Sequence, residues 1–133
     1  MLSGLKMSNA DSRVLFITVT APGEAAGLDS PEAISVWNAG ASKHWNHLIE
    51  LIRQAFPAAR KSIQFFRVGE VQARGAIHYH LALRGLQWLP KELLQKLAVQ
   101  AGFGYIVDVR LLRNIGGGVN YFAKYLLKDV KAW

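Results

Sequence analysis

Apolar and polar positions recur along this chain with two periods, one of strands and one of helices. Val14 to Thr20 reads VLFITVT, a β-branched and aromatic run of the kind that forms a buried strand. Ala21 to Ser30 is turn-rich, with Pro22, Gly23 and Gly27. Ser30-Pro31 then supplies a helix start, serine as N-cap and proline at the first helical position. Trp37, Ala41, Trp45, Leu48, Ile49, Ile52 and Phe56 follow at helical spacing, which predicts one long helix ending before Pro57. Ile63 to Gln72 and Ala76 to Arg84 read as two strands joined by a turn at Ala73-Arg74-Gly75. Pro90 opens a second helix, with Leu93, Leu94, Leu97, Ala98 and Ala101 facing inward and Gly102 closing it. Tyr105 to Leu112 is a fourth strand. Beyond Gly116-Gly117-Gly118 a third helix is expected over about Val119 to Val130. The order β-α-β-β-α-β-α implies an α+β fold: an antiparallel sheet with flanking helices, of the ferredoxin-like kind.

Composition narrows the picture. The chain has 133 residues, enough for one domain with one hydrophobic core. Its formal charge of +7 favours a polyanionic partner, nucleic acid first. No amphipathic anchor and no apolar run near the roughly 20 residues of a membrane span is visible. Met1 to Asp11 lacks the apolar core of a signal peptide, so a soluble, cytoplasmic protein is expected. There is no cysteine, which excludes disulfides and thiolate metal sites. No P-loop is present, so the chain carries no ATPase signature of that kind.

The third strand carries the chemistry. In Ile77-His78-Tyr79-His80-Leu81-Ala82-Leu83 the side chains alternate faces. The apolar row must take the core, so His78 and His80 share the opposite, solvent-side face, about 7 Å apart at their Cα atoms. A three-residue turn with Gly75 in the left-handed conformation pairs Gln72 with Ala76 and Glu70 with His78. Glu70 then stands across from His78 on one face; a two-residue turn would move it out of line. One carboxylate and two imidazoles with open positions suit Mg²⁺ or Mn²⁺ acting on phosphate. Gln72 shares that face as a further ligand or an outer-shell donor.

The last predicted helix holds Tyr121-Phe122-Ala123-Lys124-Tyr125-Leu126-Leu127-Lys128. At about 100° per residue, Val119, Phe122, Ala123, Leu126 and Val130 form its core stripe. Tyr121, Lys124, Tyr125 and Lys128 fall opposite. A phenol is a poor nucleophile at its ordinary pKa of about 10, and a nearby metal or ammonium group improves it.

Phe16 to Thr20, Glu70 to His80 and Tyr121 to Lys128 together resemble the three ordered motifs of rolling-circle replication initiators of bacterial plasmids and small single-stranded DNA phages, within the HUH endonuclease superfamily. The resemblance spans about Val14 to Lys128. It implies a five-stranded antiparallel sheet; the pattern places four strands, leaving 58–61 or 86–89 for the fifth. It implies His78 and His80 as metal ligands with Glu70 as third ligand. It implies a tyrosine nucleophile in Y-x-x-K, a pattern present twice, as Tyr121 with Lys124 and Tyr125 with Lys128. The reaction implied is nicking and rejoining of single-stranded DNA at an origin or origin hairpin, through a 5′-phosphotyrosine bond that leaves a free 3′ hydroxyl. Arg67, Arg74, Arg110 and Arg113 are candidate phosphate contacts, and Trp88 a candidate base-stacking residue. A helicase would be a separate partner or lie elsewhere in a longer protein. The alternatives are a single-tyrosine HUH transposase and a non-catalytic, ferredoxin-like nucleic-acid-binding module.

Overall fold

The computed structural model describes residues 13–112. Four strands, β1 (Val14–Val19), β2 (Gln64–Val71), β3 (Ile77–Arg84) and β4 (Val107–Leu112), form one sheet in the order β2-β3-β1-β4. Every neighbouring pair is antiparallel. Three helices, α1 (Pro31–Ala39), α2 (Ala41–Ala55) and α3 (Lys91–Ala101), complete the described α+β arrangement. The outer position of β2 follows from the connections. The helical segment after β1 carries the chain past the central position, and the tight hairpin returns β3 into it, a split β-α-β unit.

One face of the sheet packs against the helices. Leu15, Ile17 and Val19 of β1 alternate inward with Tyr79, Leu81 and Leu83 of β3. They meet Trp45, Leu48, Ile49 and Ile52 of α2 and Leu94, Leu97, Ala98 and Ala101 of α3. Each fully buried leucine or isoleucine there contributes about 1.5–3 kcal/mol of transfer free energy.

Three sequence expectations change. The single helix over 31–56 is two helices broken at Gly40, whose backbone leaves helical geometry at φ −94 and ψ 3. The break lets α1 turn toward the hairpin. Asn38 Nδ2 donates to the Gly75 carbonyl at 2.9 Å, and Asn38 Oδ1 accepts from the Ile77 amide at 3.0 Å. Glycine is the residue that leaves a helix at least cost. The fourth strand begins at Val107, two residues late. The Gly104 amide donates to the Thr20 carbonyl and the Thr20 hydroxyl to the Ile106 carbonyl, contacts that bring the chain in ahead of the ladder. Among the described residues no fifth strand forms: 57–59 is a 3-10 turn and 86–89 an irregular segment whose Leu86 and Leu89 are buried. Among the same residues no helix is long and apolar enough to cross a membrane. The predicted helix over 119–130 lies outside them.

Candidate metal centre

The β2–β3 hairpin builds the centre. Its turn closes with the Gly75 amide donating to the Gln72 carbonyl at 2.8 Å, and the Gln72 amide to the Ala76 carbonyl at 2.8 Å. Gly75 has φ +96, a conformation that side-chain-bearing residues rarely adopt. This turn sets the register, Glu70 opposite His78 and Val68 opposite His80. The face opposite the helix-packed core therefore carries Glu70, His78 and His80 together.

Glu70 Oε1 lies 2.6 Å from His78 Nε2 and 3.1 Å from His80 Nε2. One ligand atom from each of the three residues falls within 4.8 Å of the others. The imidazoles sit edge to face, their centroids 4.7 Å apart. On the far side of His80, its Nδ1 is 3.1 Å from the Thr18 hydroxyl of β1. Phe16 stacks on the His80 ring, at 5.6 Å between centroids and 14° between planes. The solvated face expected for these histidines is corrected by this packing. His80 is 5% exposed and Phe16 2%, because β1 lies beside β3 and offers an aromatic ring and a hydroxyl to the buried imidazole.

The residues fit a divalent cation. Metal bonds of about 2.0–2.2 Å to oxygen and nitrogen place adjacent ligand atoms about 3 Å apart, near the separations found here. The hydroxyl of Thr18 both donates and accepts, so it serves His80 Nδ1 in either tautomer and can fix Nε2 as the ligand atom. Among the described residues, two buried side-chain polar atoms lack a hydrogen-bond partner, His78 Nδ1 and Gln72 Oε1. If His78 bound a cation through Nε2, its Nδ1 would carry the proton, and an amide oxygen is the acceptor such a proton needs. Gln72 lies on the same strand face, two residues from Glu70, diagonal to His78 in the ladder.

The other predicted residues are placed less uniformly. Arg67 is on the helix-packed face. Its guanidinium lies over the Trp45 ring at 5.2 Å and the Tyr79 ring at 4.7 Å, away from the histidines. Arg74 Nη2 donates to the Pro22 carbonyl at 2.7 Å and reaches the Ala21 carbonyl at 3.4 Å, tying the hairpin turn to the loop after β1. Arg110 shares the histidine face and pairs with Asp108 through Nε at 2.7 Å. Trp88 is half exposed in the segment between β3 and α3. Arg113, Tyr121, Lys124, Tyr125 and Lys128 lie outside the described residues.

Two neighbours of the cluster escaped the sequence reading. Thr18 pairs with His80 in one ladder and with Asp108 in the other, so both fall in the row that crosses the site. Only the pairing of β1 with β3, 62 residues on, makes Thr18 a neighbour of His80.

Comparison with known proteins adds one finding. A family of replication-associated proteins, the ORF2 type, matches residues 14–130. No curated protein matches the chain, and no solved structure does.

Proposed function

The chain belongs to this ORF2-type family of replication-associated proteins, and from that premise we propose that it nicks and rejoins single-stranded DNA to initiate replication, using a tyrosine nucleophile. The observation that carries the reading is the convergence of Glu70, His78 and His80 on one strand-pair face. The +7 charge supports a DNA partner, since neutralised phosphates release counterions. The replication family favours an initiator over a transposase. The row of imidazoles and carboxylate favours an enzyme over a passive base-stacking module.

Glu70, His78 and His80 would hold Mg²⁺ or Mn²⁺, which supplies Lewis-acid polarisation of a phosphate oxygen. Thr18 would position His80, and Gln72, on the same face, would serve His78 as an outer-shell acceptor. The oxygen of Tyr125, or of Tyr121, attacks the scissile phosphorus as its phenolic proton leaves to solvent. The bond from phosphorus to the 3′ oxygen breaks and that oxygen takes a proton from solvent, giving a 5′-phosphotyrosine and a free 3′ hydroxyl. Lys124 and Lys128 offset charge on the phosphate. Rejoining is the reverse attack by a 3′ hydroxyl and needs no ATP, because the phosphodiester is conserved. Strand opening would fall to a separate helicase or to one elsewhere in a longer protein.

The test is a denaturing gel of the protein with 5′- or 3′-labelled single-stranded DNA containing a candidate origin, with and without Mn²⁺. A Mn²⁺-dependent cut is expected, with a protein-linked band from the 3′-labelled strand and a free fragment ending in a 3′ hydroxyl from the 5′-labelled strand. Tyr125→Phe is expected to reduce that band most, because its Y-x-x-K lies deeper in the predicted helix. A band lost only in Tyr121→Phe exchanges the two roles. Cutting that survives in the double variant means that water is the nucleophile and overturns the tyrosine chemistry.

A further inference from the structure

At the hairpin-turn end of the sheet lies a cleft of about 1070 Å³, between the loop after β1, the hairpin turn and the segment joining α3 to β4. Its lining includes Glu24, Asp29, Gln72, Arg74, Tyr105 and Ile106. Two lining residues continue the strands that carry the cluster: Gln72 follows Glu70 by two residues and Thr20 follows Thr18 by two, each a spacing of about 7 Å in extended chain. Two large apolar side chains stand open to solvent there, Tyr105 at 67% and Ile106 at 64% exposure. Their backbone is nonetheless held. The Tyr105 carbonyl accepts from Gln95 Nε2 at 2.8 Å and the Ile106 carbonyl from the Thr20 hydroxyl at 2.8 Å. An exposed aromatic ring on a fixed backbone is a preorganised stacking surface.

Charge selects the occupant. Glu24 and Asp29 disfavour a phosphate inside the cleft, whereas a neutral ring bears no such repulsion. Carboxylates and an amide oxygen also accept from the amino groups on base edges. Arg74, held by the Pro22 carbonyl, keeps a cation at the rim, where a sugar-phosphate backbone would pass.

We infer that this cleft binds one unpaired base of the DNA strand beside the scissile phosphate, stacked on Tyr105, with its backbone outside along Arg74. The inference rests on the single-strand nicking reading above and adds a base-recognition site to it. Because the cleft adjoins Glu70 and Thr18 through Gln72 and Thr20, an engaged base anchors the strand next to the metal centre.

The test uses the full chain and a labelled oligodeoxycytidylate carrying 5-iodocytosine, whose exocyclic amino group suits the acceptors of the cleft. Ultraviolet cross-linking followed by peptide mapping is expected to place the adduct on Tyr105. Tyr105→Leu, a change at an exposed side chain that leaves the fold intact, is expected to weaken single-strand binding roughly tenfold at fixed salt. Tyr105→Phe is expected to bind within about twofold of the parent, since the ring face is kept. The slope of affinity against salt is expected to stay unchanged in Tyr105→Leu, because no phosphate contact is lost. Unchanged affinity in Tyr105→Leu with metal-dependent nicking intact overturns the base site and leaves the nicking reading standing. Adducts confined to residues outside the cleft do the same. A parent protein that binds no single strand at low salt overturns both.

Discussion

Strand β3 presents two rows that differ in what satisfies them. On the helix side, Tyr79, Leu81 and Leu83 fill space against α2 and α3, and packing alone accounts for each. On the other side, His78 and His80 converge with Glu70 at hydrogen-bond distance, and His78 Nδ1 is buried without a hydrogen-bond partner among the described residues. The first row contributes stability through apolar area. The second gathers basic nitrogens and a carboxylate where neither fills the core, an arrangement that favours a bound cation over fold stability. The same strand thus divides its work by parity, and the two rows should respond to different perturbations.

The largest separation is expected from the core row. Leu81→Ala removes a fully buried side chain and should cost about 2–5 kcal/mol in urea unfolding. The fraction that remains folded should bind Mn²⁺ as the parent does. Weakened Mn²⁺ binding in that fraction would show that the rows are coupled and break the division.

His78→Ala is the mirror experiment. Calorimetric Mn²⁺ affinity should fall by more than roughly 100-fold, since a ligand is worth more than the 10–100-fold of an outer-shell partner. Unfolding free energy should move by about 1 kcal/mol or less. Undiminished Mn²⁺ affinity would remove His78 from the ligand set.

Thr18→Val keeps the shape and deletes the hydroxyl beside His80 Nδ1. Mn²⁺ affinity should drop about 10-fold or somewhat more, and Thr18→Ser should restore it. Equal affinity in the valine variant would make the Thr18 contact purely structural.

The smallest effect concerns pH. Burial pushes the Tyr79 phenol above its ordinary value, partly opposed by the Arg67 guanidinium. The fold therefore prefers neutral Tyr79. That stability is fully present below about pH 10, the unfolded value, and is lost as pH rises through the higher folded value. Unfolding midpoints of Tyr79→Phe should fall less steeply above about pH 10 than those of the parent. Parallel curves would mean that Tyr79 has no part in alkaline unfolding.

Much of the centre was legible in the residues because its rules are local. Alternation put His78 and His80 on one face, and the Gly75 turn set Glu70 opposite His78, a register the structure shows. The antiparallel sheet with flanking helices followed from the order of strands and helices along the chain. The arginines were not legible in this way. Arg67 and Glu70 are three residues apart and so point to opposite faces, yet whether a long cationic side chain meets DNA or an aromatic ring depends on what the other elements bring.

By itself the sequence determined the periods, the caps at Ser30 and Gly102, the hairpin and the shared face of the three candidate ligands, all consequences of backbone sterics within a few residues. The tertiary structure decided the break at Gly40, just after Asn38 at the end of α1, whose side chain holds a hairpin 37 to 39 residues away. It also decided the burial of His80, because Phe16 and Thr18 reach that imidazole only when β1 and β3 pair across more than 60 residues of chain, a separation that no local pattern encodes.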